Sequence, residues 1–181
     1  MRLALLVTDH QLGGTPLRLA RLARALRDRG VTVSYGCLSE PGPISDAVRR
    51  EGIEVFACGA QRARDVGALR RLGKSLRAFR PDVVHASLFH ANLAARWVGR
   101  RLKLPVLTST ATIEVERPWH NRLERWTAGW DQGHIVTSRS LQEHAVQKFG
   151  RKPEAVFVVP PLIREIAHWE RNAALDELGL P

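Results

Sequence analysis

Lysine is nearly absent from a strongly basic chain. Of 181 residues, 28 are Lys or Arg against 18 acidic ones, for a net charge of +10, yet lysine stands only at positions 74, 103, 148 and 152. The other 24 basic residues are arginine. Genomic base composition accounts for part of that bias. Whatever its origin, such a surface attracts phosphates, nucleic acid or anionic lipid headgroups. Cysteine is scarce too: Cys37 and Cys58 alone exclude a disulfide scaffold and fit small buried hydrophobes in a reduced, cytoplasmic protein. No apolar run approaches the roughly 18 residues of a membrane-spanning helix. Leu3 to Val7 is too short for the core of a secretion signal, and Asp9 ends it. A GxSxG elbow is missing, and no Ser-His-Asp order can be assembled, so hydrolase chemistry is unsupported.

What is there is alternation. Arg2–Thr8, Val31–Cys37, Ile53–Cys58, Val83–Ala86, Val106–Ser109, His134–Thr137 and Val156–Val159 read as strands. Several are nearly continuous apolar runs, as expected of strands covered on both faces. Between them lie amphipathic helices. Residues 15–29 carry Leu19, Leu22, Ala23 and Leu26 on one face, and residues 65–80 carry Leu69, Leu72, Leu76 and Phe79 at three-four spacing. Gly30 and Gly150 fall where a left-handed helix cap is wanted. The pattern predicts an α/β fold: a doubly wound, Rossmann-like parallel sheet of about seven strands with helices on both faces. The pattern breaks after Pro160-Pro161, where a helical stretch from Glu165 to Leu178 has no strand to follow. We therefore expect one domain over 1–163, then a linker and the opening of a second domain over 164–181.

Polar residues gather at the carboxyl ends of successive predicted strands. They are Thr8-Asp9-His10-Gln11-Leu12-Gly13-Gly14, the segment from His85 to Asn92, Thr108 to Thr112, and Thr137-Ser138-Arg139-Ser140. In an open parallel sheet these ends form one edge, and ligands bind in the crevice along it. Gly13-Gly14 follow the first strand and open a helix, with Thr15 able to cap it and Pro16 suited to its first position. Backbone N–H groups and the helix dipole at such a point hold a phosphate, and a plain strand-to-helix turn has the same look. Gly67 to Ser75 imitates a nucleotide-binding loop, but five residues separate its glycines where four are required, and it lies within a helical pattern. His85, His90 and Asn92 have no Cys or acidic pair nearby and so do not form a metal site; neutral imidazole and amide groups suit a sugar or alcohol, or a backbone hydrogen bond. His10 has the same two readings. His120, His134, His144 and His168 are expected to be surface or packing residues.

Trp119, Leu123, Trp126 and Trp130 fall on one face of a helix. Packing against the sheet is one reading, and anchoring at a lipid headgroup zone is the sharper one. Arg62, Arg64, Arg70, Arg71, Lys74, Arg77 and Arg80 line one helix and its approach, while Arg96, Arg100, Arg101 and Lys103 crowd another. Solvated helix faces are the plain account. An anionic membrane is the functional one, at about 1 kcal/mol per basic residue near the surface. Nucleic acid is disfavoured, because aromatic and basic residues do not interleave on the predicted sheet and no recognised motif appears.

The segment Leu5 to Gly14, the step Arg80-Pro81-Asp82-Val83-Val84-His85, Leu88-Phe89-His90-Ala91-Asn92 and Val136-Thr137-Ser138 together resemble the N-terminal domain of family-4-like, retaining GT-B glycosyltransferases. The resemblance runs over roughly residues 1–163, and Arg171 to Pro181 looks like the start of that family's donor-binding half. It implies transfer of a sugar from a nucleotide-sugar donor to a glycan or lipid-linked acceptor with retention, without metal or other cofactor, in the cytoplasm or on the inner face of the cell membrane. Gly13, Gly14 and Thr15 would approach the donor diphosphate. His10, His85, His90, Asn92 and Thr112 would line the acceptor side, with Ser138 and Arg139 facing the cleft between the halves. The chain departs from the family at three points. Thr112 stands where many relatives carry a histidine near the reacting sugar, and threonine cannot titrate as a base near neutral pH. Thr15-Pro16 replaces the more usual Ala-Glu, and Pro160-Pro161-Leu162 replaces Pro-Asn-Gly. The chain alone, without its donor-binding half, is expected to be inactive. A non-catalytic membrane- or glycan-binding module on the same fold is the alternative.

Overall fold

The computed structural model describes residues 1–62, 65–112 and 118–161. Seven strands form one sheet: β1 (Arg2–Val7), β2 (Thr32–Cys37), β3 (Glu54–Ala57), β4 (Val83–Ser87), β5 (Val106–Thr110), β6 (Gly133–Val136) and β7 (Val156–Val158). All pairings are parallel and the order is β3-β2-β1-β4-β5-β6-β7. The helices are α1 (Gly14–Arg27), α2 (Pro43–Arg50), α3 (Val66–Phe79), α4 (Phe89–Leu102), α5 (Pro118–Thr127) and α6 (Arg139–Phe149). This is the expected doubly wound, Rossmann-like α/β sheet. The stretch Glu165–Leu178, the segment 164–181, Leu162 and Arg64 lie outside the described residues, as does His168.

The alternation of β1 explains the layering. Leu3, Leu5 and Val7 point to one core with Leu19, Ala20 and Ala23 of α1 and Ile44 and Val48 of α2. Ala4 and Leu6 point to the other, with Leu72, Leu76 and Phe79 of α3 and Ala91, Ala95 and Val98 of α4. The chain winds outward from β1 in one direction through β2 and β3, and in the other through β4 to β7. That reversal sets the switch point between β1 and β4. Gly30 and Gly150 take positive φ, 79° and 64°, just past their helices as expected. Gly67 to Ser75 sits inside α3, which removes it as a nucleotide loop.

Two expectations need correction. Arg96 does not belong to a solvated basic face: it is fully buried on α4, because the helix lies over the sheet at that point. Its Nε donates to Asp131 Oδ2 at 2.6 Å and its Nη1 to Thr127 Oγ1 at 2.8 Å, and Glu124 Oε2 lies 2.6 Å from Nη1. Arg151 donates to both Asp131 oxygens at 2.7 and 2.8 Å, and Thr108 Oγ1 links Asp131 to His134 Nδ1, each at 2.8 Å. Two cations and two carboxylates thus cancel inside the fold. The tryptophan stripe does not pack on the sheet either. Trp119 is 48% exposed and Trp126 69% exposed, and Trp130 lies in a 3₁₀ turn beyond the end of α5.

Candidate functional site

The carboxyl ends of β1 and β4 flank the switch point, where a crevice is built by topology. From β1 the chain enters α1 through 8–13. Asp9 Oδ1 accepts from Gln11 N at 3.0 Å, which folds the loop back on itself. The helix begins one residue earlier than expected. Its N-cap is Gly13, in an extended conformation (φ −166°) with no side-chain hydrogen bond, so Thr15 lies within the first turn and does not cap it, and Pro16 is not its first residue. No acidic residue stands in that turn. The N–H groups and positive dipole end are left for a ligand.

Other glycines are small because the fold crowds them. A Cβ on Gly36 would lie 2.0 Å from the Phe56 ring, one on Gly42 2.4 Å from His10 O, and one on Gly99 2.3 Å from Val106 Cγ2. Gly14 has nothing within 4 Å, and Gly13 meets only Pro16 at 3.6 Å. Neither takes a positive φ. Folding alone does not ask for glycine here, whereas close approach of a ligand to the helix start does.

From β4 the chain turns into α4 at Leu88, which has φ 77° and ψ 148°. That region is close to glycine-only and costs a non-glycine residue about 1–3 kcal/mol. The strain sits directly across the switch point from the glycine turn.

Between the two turns lies a polar cluster. His85 is not the end of β4, as expected, but its middle residue, since pairing with β5 runs on to Ser87. Its Nε2 is 3.1 Å from Ser109 Oγ, and Ser109 Oγ also contacts Ser87 Oγ. Asn92, fully buried, donates to the Ser109 carbonyl at 3.1 Å, while its Oδ1 is buried without a hydrogen bond. Burial, with Arg18 nearby, lowers the His85 pKa to about 4. His10 is fully buried, its Nδ1 2.7 Å from Ser45 Oγ and its ring 4.3 Å from Tyr35. Burial lowers its pKa to about 4 as well. Both imidazoles are neutral at pH 7.

Further along the edge, Thr112 is exposed and borders a small recess with Thr110, His120 and Asn121. His120 stacks on Phe89 at 3.6 Å, with Trp119 and His90 edge-on to this pair. Ser138 caps α6 by accepting from Leu141 N at 3.3 Å, and Arg139 is exposed beside it. The fold therefore brings Gly13, Gly14, Thr15, His90, Thr112, Ser138 and Arg139 to one edge, with His85, His10 and Asn92 beneath it. Ser87, Leu88 and Ser109 lie in segments that the sequence assigns to this edge, but nothing in the sequence singles them out. Leucine gives no hint of a positive φ. No group of three His, Cys, Asp or Glu among the described residues is arranged to hold a metal.

Comparison with known proteins follows the same lines. No curated protein sequence matches the chain. Among solved structures, HepE of Anabaena in complex with UDP and glucose superposes with a TM-score of 0.81 at 18% identity, over 99% of this chain and 50% of that one. The lipopolysaccharide outer core galactosyltransferase WaaB gives 0.71 at 12% identity, over 92% and 47%. Sucrose-phosphate synthase of Thermosynechococcus elongatus gives 0.70 at 14%, over 100% and 53%. The chain spans about half the length of these proteins and shares the fold of one half of each. Residues 12–164 match the profile of Glycosyltransferase Family 4, and the chain belongs to that family.

Proposed function

We propose that this chain is the acceptor-side half of an enzyme that moves a sugar, with retention, from a nucleotide-sugar donor to a glycan or lipid-linked acceptor. The observation that carries the reading is the uncapped start of α1: two glycines that neither packing nor backbone angle requires, at the switch point of the sheet. A diphosphate is the ligand that such a turn accommodates, since it takes N–H hydrogen bonds and the favourable end of the dipole together. HepE, which shares the fold, is described in complex with UDP and glucose.

In this reading Gly13, Gly14 and Thr15 receive the donor phosphates, which arrive on a second, donor-binding half. Thr112 and His90 face the acceptor, with Ser138 and Arg139 at the cleft between the halves. His85, His10 and Asn92 hold the edge in shape from below, through Ser109 and Ser45. Kept neutral by burial, His85 meets Ser109 Oγ as a hydrogen-bonding group and not as a cation. No metal or other cofactor takes part.

The test is transfer by the full-length protein that carries this chain, given labelled UDP-glucose and other nucleotide sugars with cell-envelope extracts. Label is expected in a lipid or glycan fraction with retained anomeric configuration, and Gly14→Val is expected to abolish most of it without unfolding. Absence of both transfer and nucleotide-sugar binding across the donor set refutes the proposal.

A further inference from the structure

Among the described residues a second hollow, distinct from the crevice at the switch point, is markedly apolar. It lies between α3, α4 and α5, has a volume of about 500 Å³, and is walled by Leu69, Leu93, Trp97, Leu123, Trp126 and Trp130. Its wall residue Trp126 is 69% exposed, so the space opens to solvent as an apolar groove, and a contiguous apolar surface of this kind marks a binding site. Its size and apolar walls are those of a small-molecule site.

The two ends differ. One is bounded by Thr8, Leu38, Ser39 and Ala60, at the carboxyl ends of β1, β2 and β3, by Arg62, and by Asp65, whose carboxylate is engaged by Ala68 N and Arg71. That is the sheet edge carrying the glycine turn, so the cavity and the transfer crevice share a rim. The outer end is ringed by indoles under guanidinium groups. Arg101 stands 4.0 Å over Trp97, and Arg100 4.9 Å over Trp130. The middle is apolar from α3 to α5. A glycan seated there would set its hydroxyls against apolar walls that offer them no hydrogen bond. An alkyl or isoprenoid chain needs none.

We propose that this cavity seats the apolar chain of the acceptor, a single-chain amphiphile whose anionic head lies at Thr8, Ser39 and Arg62. The inference rests on the acceptor reading above and narrows it from glycan or lipid-linked to an acceptor with an apolar chain. A second copy of this chain or a segment of its own is a competing occupant, which the test separates.

Three of the five tryptophans line the cavity, so the protein reports its own occupancy. The probe is dodecyl phosphate below its micelle concentration, with its terminally brominated analogue as a contact quencher of indole. Saturable quenching is expected, with affinity rising about fourfold per methylene from hexyl to dodecyl. Leu69→Glu places a charge in the wall and is expected to weaken binding at least tenfold. Leu22→Glu, on α1 in the opposite layer, is expected to leave it unchanged. If circular dichroism shows that Leu69→Glu has not folded, Leu123→Glu serves in its place. Three results overturn the inference: no saturable quenching, as when the protein's own chain or a second copy fills the space; equal quenching in the charged-wall variant; or quenching by brominated anionic vesicles and not by the monomeric amphiphile, which denotes surface docking alone. No donor sugar is used. Failure here leaves sugar transfer standing, and binding here with no transfer by the full-length protein removes the enzyme reading and not the cavity.

Discussion

Removing the carboxylate of Asp131 is expected to be among the most destabilising single changes available in this fold. Its side chain is fully buried and receives Arg96 Nε, both terminal nitrogens of Arg151, and the Thr108 hydroxyl. With Glu124 it balances two arginine charges that have no access to water. Asp131→Asn keeps the shape but leaves one positive charge uncompensated and turns an amide N–H₂ toward guanidinium donors. Breaking a buried pair from one side costs about 3–5 kcal/mol. For a domain of this size each kcal/mol lowers Tm by about 2–4 °C, so a drop of roughly 6–20 °C follows. Urea unfolding followed by circular dichroism measures it. The paired change Asp131→Leu with Arg151→Leu is expected to cost less than the sum of its parts, because neither charge is then stranded. The pH gives an internal check. Burial pushes the Asp131 pKa up, but the hydrogen bonds of Arg151 and the charges of Arg96 and Arg151 outweigh it and hold it below the usual value. Its contribution is therefore present above the unfolded value near roughly 3.9 and is lost as pH falls below it, so the gap between the two proteins closes in acid. A loss under 1 kcal/mol at pH 7 refutes the electrostatic account of this network.

Gly14→Val is expected to leave Tm unchanged and to lower nucleotide-sugar affinity in the full-length protein at least tenfold; isothermal titration reads the affinity, and equal binding refutes the phosphate role. Leu88→Gly is expected to be more stable than Leu88→Ala by about 1 kcal/mol in urea unfolding, since both delete the side chain and only glycine relieves φ 77°. His134 is held neutral by burial and by Arg151 and Arg96, with a pKa lowered to about 3. Unfolding exposes it to take up a proton below about 6.5, so stability is intact above that pH and falls from there toward pH 3, by up to about 1.4 kcal/mol per pH unit for this one group. His134→Asn is expected to flatten that slope, as measured by unfolding at pH 7, 6 and 5.

The sheet was legible because buried parallel strands are apolar on both faces and leave unbroken runs such as Leu3 to Val7, so each strand was found to within a residue or two. Helix α2 was not, since eight residues with Ile44, Ser45 and Val48 buried do not establish a period. The ion network was legible in part. Arg96 is the one charge between Phe89 and Gly99, and a lone arginine in an apolar helical run needs a buried partner. Which partner was beyond reach, as Glu124, Asp131 and Arg151 come from three other segments. His10 and Asn92 show the converse. Both side chains turn inward: His10 stands in a strand-end loop, which has no side-chain period to say which way a residue points, and Asn92 falls on the buried face of α4 with Ala91 and Ala95. The cavity left no trace at all. Its walls are ordinary apolar helix positions, and only the spacing of three helices makes them a container.

The charge of +10 gains a direction from these same elements. The buried quartet sums to zero, so the whole excess lies elsewhere on the molecule. On the α1–α2 layer arginines meet carboxylates: Arg24 with Glu51, Arg27 with Asp28, and Arg49 with Asp46. Helices α3 and α4 contain no acidic residue, and the one acidic residue of α5, Glu124, is turned inward to Arg96. Exposed Arg70, Lys74, Arg77, Arg100, Arg101, Arg122 and Arg125 therefore cover the layer that holds the cavity. An anionic surface is drawn more strongly to that layer than to the opposite one, by an attraction that salt weakens once charges are separated by more than the roughly 8–10 Å screening length. Chain insertion into the cavity depends on buried area and is nearly indifferent to salt. The two contributions are thus separable in one titration. Raising the ionic strength is expected to abolish retention on anionic vesicles while leaving most of the gain per methylene intact.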